Sequence, residues 1–170
     1  MKGMNKLKNA DGFTLLEVMA VVIIMGIIVA IIIPKLTLST ANARRKADVA
    51  TAHQIKAAFD RYQVENGIYP KKTEVTIKET GEVDSVKLIP KYIGKLDRST
   101  TQQVVADENK GFGIAELKAD AADSSLYLIP EPKAGDTIHS VMIYLTNDGL
   151  AAEVRTYDDD LKNVLWTSAN

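Results

Sequence analysis

Cysteine is absent from the 170 residues, which excludes a disulfide framework, a thiolate metal site and a thiol nucleophile. Histidine is nearly absent. His53 and His139 are the two in the chain, and neither has a partner at metal-ligand spacing such as His-x-x-x-His. Each reads as an ordinary surface or edge residue. No glycine-rich phosphate loop and no nucleophile elbow occur, so an enzyme has no constellation to stand on and no cofactor is expected. Charge of one sign is missing too: 21 Lys and Arg face 22 Asp and Glu, a net −1. That balance argues against nucleic acid as a bulk electrostatic partner. There is no internal repeat and no low-complexity tract. With 46% hydrophobic residues and five prolines, one modest globular core beside an anchor segment accounts for the length.

What is present begins near the N-terminus. From Phe13 to Ile33 only Thr14 and Glu17 are polar, and only Glu17 carries charge. The run is long enough to span a bilayer. An acidic side chain at the bilayer centre costs roughly 2.5–3.5 kcal/mol on insertion scales, less near an end, so Glu17 needs a partner. Cutting the chain between Gly12 and Phe13 supplies one. It removes a leader, residues 1–12, with Lys2, Lys6 and Lys8 against Asp11, and leaves an α-amino group four residues before Glu17. In a packed array of such helices, the amine of one subunit meets the carboxylate of a neighbour, relieving two desolvation costs together. A secretory signal peptide places its cleavage site after the apolar core. Here the small residue, Gly12, comes before it, and Pro34-Lys35-Leu36 follow Ile33. Lysines and arginines are nearly balanced across the run, with Lys35, Arg44, Arg45 and Lys46 beyond it, so charge alone does not orient it.

This arrangement resembles a type IV prepilin or a type II secretion pseudoprepilin: a short basic leader ending in Gly12, then Phe13, Thr14, Leu15 and Glu17, then an apolar helix with Gly26 inside and Pro34 at its far end. The resemblance implies processing before Phe13 and N-methylation of the new amino group by one prepilin peptidase. It implies assembly through Phe13 and Glu17, driven by an ATPase and a polytopic platform protein. The partners it implies are further copies of the chain and related minor pilins. The location is the cytoplasmic membrane, single pass with the N-terminus inside, and afterwards a surface or periplasmic filament. An interior Pro costs ~3 kcal/mol and Gly about 1, so Gly26 and Pro34 read as a simple kink or, as the resemblance implies, as a stretch able to lose helicity on packing. Many Gram-negative pilins close a C-terminal loop with a disulfide; this cysteine-free chain does not, which suits a Gram-positive or pseudopilin source.

Beyond Pro34 the pattern turns amphipathic. Ala47, Thr51, Ile55, Ala58, Phe59 and Tyr62 share one face, while Arg45, Asp48, Lys56 and Asp60 occupy others. Asn66-Gly67 is a stop signal, followed by Pro70. A continuous helix from Phe13 to Asn66 would reach about 80 Å. The next stretch is mixed: Glu74–Ile77 is a short strand candidate, Thr80-Gly81-Glu82 a turn, and a short helix from about Val86 is limited by Pro90. Strands are expected at Gly113–Leu117, Leu126–Ile129, Ser140–Thr146, Leu150–Tyr157 and Asn163–Thr167, with a loop over Ala119–Asp123. Asn147-Asp148-Gly149 is a strong hairpin signal. The fold class is therefore α+β and pilin-like: a long N-terminal helix covered by a C-terminal antiparallel β-meander. Its parts are the leader 1–12, the transmembrane or filament-core helix 13–34, and an amphipathic and globular region 35–170.

Asp158-Asp159-Asp160 is the best candidate for an ion site. Major pseudopilins bind calcium in a C-terminal loop, but the run lacks D-x-D-x-D-G spacing, and a solvated turn is the better reading. Arg44-Arg45-Lys46 reads as a solvated helical face that snorkels near lipid headgroups. The sequence reading is a structural subunit of a type IV pilus. The alternative is a pseudopilin of a secretion or DNA-uptake machine, and a third reading is a monomeric membrane-tethered binding domain. Glu17 counts against the third, because a lone tether gains nothing from a buried acid.

Overall fold

The structure, a computed structural model, describes residues 13–120, 123, 126–132 and 136–169. One helix, α1, runs from Leu15 to Asn66. The chain divides into two compact units, one ending at Thr40 and the other beginning at Ala41.

In the first unit the helix is apolar on every side and every described side chain is exposed. It is long and apolar enough to cross a membrane. It continues through Gly26 and Pro34. A methyl group added at Gly26 would meet nothing within 4 Å, so packing inside the subunit does not demand glycine there. Past Pro34, whose ring removes one ladder donor, Thr37 Oγ1 donates to Ile33 O at 3.1 Å and Thr40 Oγ1 to Thr37 O at 2.9 Å.

In the second unit α1 buries Asp48, Ala52, Ile55, Ala58, Phe59 and Tyr62, a stripe at helical spacing. Ala52, Ile55, Phe59 and Tyr62 pack in one core with Phe112, Val141, Ile143, Leu145, Ala152 and Val154. Ala47 and Thr51 sit at the edge of this stripe, half-buried. Asp48, assigned to a polar face by its charge, lies in the buried line instead.

The strands follow the expected order, with three local differences and one in how the main sheet is paired. A 3₁₀ turn takes Lys72–Glu74, so β1 is Thr76–Ile77 alone, paired antiparallel with β2, Val83–Asp84. Around Pro90 the chain makes successive turns, with Ile89 N bonded to Ser85 O and Tyr92 N to Leu88 O, in place of a regular helix. After β3, Phe112–Glu116, residues Lys118–Ala119 form β4, where a loop was expected; β4 pairs with the short β5, Tyr127–Leu128. Residues 121 and 122 of that loop lie outside the described residues.

The antiparallel meander consists of β6, Val141–Leu145, β7, Ala152–Tyr157, and β8, Val164–Thr167. Strand β3 extends it on the other side of β6, and that pair is parallel, giving the order β3-β6-β7-β8. A parallel neighbour needs a crossover connection. The long stretch from Leu117 to Ser140, which holds the β4–β5 hairpin, provides it. The turn between β6 and β7 uses Gly149 at φ +81°. Thr146 Oγ1 accepts from the N–H groups of Gly149, Leu150 and Ala151 at 3.1, 3.0 and 3.2 Å. A Cβ at Gly149 would lie 2.6 Å from Tyr69 O, so the turn also needs glycine to dock on the segment after the helix.

Candidate assembly site

The helix start places Thr14 and Glu17 three residues apart, one turn up the same side. They form a reciprocal cap. Thr14 N and Thr14 Oγ1 each donate to Glu17 Oε2 at 2.9 Å, and Glu17 N donates to Thr14 Oγ1 at 3.2 Å. Two otherwise unpaired donors of the first turn are satisfied, and the carboxylate is aimed at the helix N-terminus, where a negative charge is favoured. Among the described residues Glu17 Oε1 accepts no hydrogen bond, so one oxygen remains for an incoming donor. Phe13, 89% exposed, precedes the cap. Gly12, the residue expected before the cut, lies outside the described residues. Chemically the arrangement can receive an ammonium group at the end of an apolar rod.

The three aspartates of the ion-site candidate have separate tasks. Asp158 Oδ1 accepts from Lys162 N at 3.0 Å and Asn163 N at 3.2 Å, and Oδ2 accepts from Asn163 Nδ2 at 2.6 Å. Burial pushes the Asp158 carboxyl up, but the bonds from Asn163 and Lys162 and the Arg45 charge outweigh it and hold it below the usual range. Asp159 pairs with Arg45, whose Nε lies 2.7 Å from Oδ1. Asp160 is exposed. Among the described residues no group of three His, Cys, Asp or Glu side chains is arranged to hold a metal ion.

Of the basic run, Arg44 and Lys46 are exposed, whereas Arg45 ties α1 to the β7–β8 turn. His53 packs against Trp166 of β8, with ring centroids 4.1 Å apart and the planes tilted by 41°. His139 is half-buried, and burial lowers its pKa.

One residue escaped the reading of the sequence. Asp48 is fully buried and accepts from Gln102 N at 2.6 Å, Gln103 N at 3.2 Å and Gln103 Nε2 at 3.0 Å. Gln103 Nε2 also donates to Tyr157 O at 2.9 Å. The carboxylate thus joins α1, the loop before β3 and the end of β7. The available signal was its spacing, four residues before Ala52 and seven before Ile55.

Comparison with known proteins fits this geometry. The prokaryotic N-terminal methylation motif matches residues 7–33. Type II secretion system core protein G of Vibrio cholerae is 37% identical over 67 residues, 39% of this chain and 46% of that protein. The protein of the same description from Klebsiella michiganensis is 39% identical over 63 residues, 37% of this chain and 44% of its own. That from Pseudomonas aeruginosa is 35% identical over 63 residues, again 37% and 44%. The matched stretch therefore spans less than half the length of these relatives. No solved structure matches the chain.

Proposed function

Taking as premise that the N-terminal segment is that of the type IV pilin and pseudopilin family, we propose that this chain is a pseudopilin, a structural subunit of a type II secretion apparatus. The observation that carries this choice is that the relatives above are core protein G of that system. They favour the alternative drawn from the sequence over a subunit of a long surface pilus. The apolar helix and the methylation motif point to anchoring in the membrane before assembly. There the precursor crosses once with its leader inside. Prepilin peptidase cuts before Phe13 and methylates the new amine. The helix then leaves the lipid and packs among copies of itself, with the Phe13 amine of one subunit on the Glu17 carboxylate of the next. An ATPase and a platform protein drive the step. The work is mechanical and structural, without a catalytic site.

The test is deletion of the gene followed by assay of both outputs. A pseudopilin predicts loss of secreted proteins from the medium with surface pili intact. Loss of long sheared surface fibres with normal secretion restores the type IV pilus reading. Normal amounts of both would refute assembly into either machine.

A further inference from the structure

The outer face of the sheet carries a charge for which the assembly role has no use. Arg155 stands within β7, opposite Met142 of β6 and Thr167 of β8. It lies on the same side as Tyr157, two residues on, whose hydroxyl its Nη1 reaches. That side packs Met142, Tyr144 and Tyr157 with Tyr127, Ile129 and Ile138, apart from the core that includes α1. A guanidinium offers five N–H donors and accepts nothing. Here Nε is buried without a hydrogen-bond partner. Nη1 makes one long contact, 3.5 Å, to Tyr157 Oη. Among the described residues Arg155 forms no ion pair.

Two phenols extend the cluster. Tyr157 Oη and Tyr144 Oη lie 3.2 Å apart on side chains of residues only 3% exposed. One phenol proton is spent between them; the other has no acceptor among the described residues. Burial, then the hydrogen bond and charge of Tyr157, hold the Tyr144 hydroxyl well above the ordinary phenol range, so it remains a donor. Glu131 acts on Tyr144 through space, yet neither a hydrogen bond nor an ion pair joins it to the three residues. A buried Nε–H and one phenol O–H are thus left without an acceptor among the described residues. Buried donors are ordinarily satisfied, and a half-buried cation without an ion-pair partner is costly; Glu153, opposite Tyr144 on the same face, accepts from Ser168 Oγ and forms no ion pair with Arg155. The missing element is an acceptor with negative charge.

We propose that Arg155, with the hydroxyls of Tyr157 and Tyr144, forms a binding site for an oxyanion, a carboxylate or phosphate group. The planar guanidinium fork matches two oxygens of such a group, and a phenol O–H can add a third bond. The oxyanion is either free in solution or a side-chain carboxylate of an adjoining copy; the second source rests on the assembly reading above.

The test uses the full chain in detergent micelles, labelled at the arginine side chains, with inorganic phosphate and acetate as probes. The Arg155 Nε–H resonance, assigned by its loss in Arg155→Lys, should shift saturably in the wild type. Tyr157→Phe, which keeps the ring and removes the hydroxyl, should weaken the response about tenfold. In parallel, Arg155→Gln and Arg155→Lys are expressed in cells and the secreted protein in the medium is quantified. A titration response with normal secretion from Arg155→Gln assigns the site to a free anion. Loss of secretion in Arg155→Gln, restored by Arg155→Lys, assigns it to a neighbouring subunit. No resonance shift together with wild-type secretion from Arg155→Gln overturns the proposal. If deletion of the gene itself leaves secretion unchanged, the assembly reading falls, and the titration alone decides the site.

Discussion

Replacing Asp48 by Ala should be among the most damaging single changes in the globular unit. The carboxylate satisfies three donors: Gln102 N, Gln103 N and Gln103 Nε2. After truncation Gln103 Nε2 keeps Tyr157 O, but the two backbone N–H groups lose their acceptor. An orphaned buried donor costs about 1–3 kcal/mol, so two give about 3 kcal/mol once some water reaches the loop. That is a large part of the 5–15 kcal/mol typical of a domain. For a unit of this size it corresponds to a fall in Tm of about 10 °C. Asp48→Asn is the finer probe. It retains one acceptor oxygen but turns an NH₂ group toward donors, so it should lose about half as much. Trp166 is the sole tryptophan, sits on β8 and packs against this core, which makes its fluorescence a direct readout of thermal unfolding. If Asp48→Ala melts within 2 °C of the wild type, the carboxylate is not holding the loop, and the assignment of Asp48 to the core is wrong.

Three further outcomes are expected. Gly12→Leu should trap the uncut precursor in the membrane, while mass spectrometry of the wild-type mature chain should show an N-methylated Phe13; a mature chain starting after Ile33 would sink the processing scheme. Glu17→Gln should be inserted and cleaved normally yet assemble poorly, because the Phe13 amine of the adjoining subunit then enters the array without a counter-charge; wild-type fibre yield from the pure variant would exclude the ion pair as the driver. The Asp158 carboxyl is held below its usual range by Asn163, Lys162 and Arg45 against the opposing effect of burial. Its stabilising contribution is therefore complete above about pH 4 and is lost as pH falls through the lowered folded value. Acid unfolding of Asp158→Asn should show a shallower decline than the wild type over that window, and parallel curves would refute the linkage.

Which parts of the molecule could be read in advance follows from how local their causes are. The apolar rod needed no neighbour to be recognised, since Phe13–Ile33 is hydrophobic on all sides and Glu17 is conspicuous within it. Asn147-Asp148-Gly149 likewise declares its turn, because the backbone at Gly149 demands positive φ. The parallel placement of β3 had no such local mark. Its partner β6 lies beyond the β4–β5 hairpin, and an alternating strand looks the same whichever way its neighbour runs. Asp48 was misplaced because charge was weighed above period. A carboxylate on the apolar line of a helix is a contradiction that only a distant donor set resolves, and those donors, Gln102 and Gln103, stand more than 50 residues away. Glu17 and Asp48 are thus two solutions to one problem on the same helix. In the globular unit the buried acid takes its donors from its own chain, and its cost is met on folding. At the helix start Thr14 bonds only one oxygen of Glu17, and the local cap leaves the other open. An acid satisfied internally stabilises a fold; an acid satisfied only in part, at the end of an apolar rod, stabilises whatever brings the second donor. That difference in donor supply, rather than the presence of a carboxylate, separates the structural role of Asp48 from the assembly role proposed for Glu17.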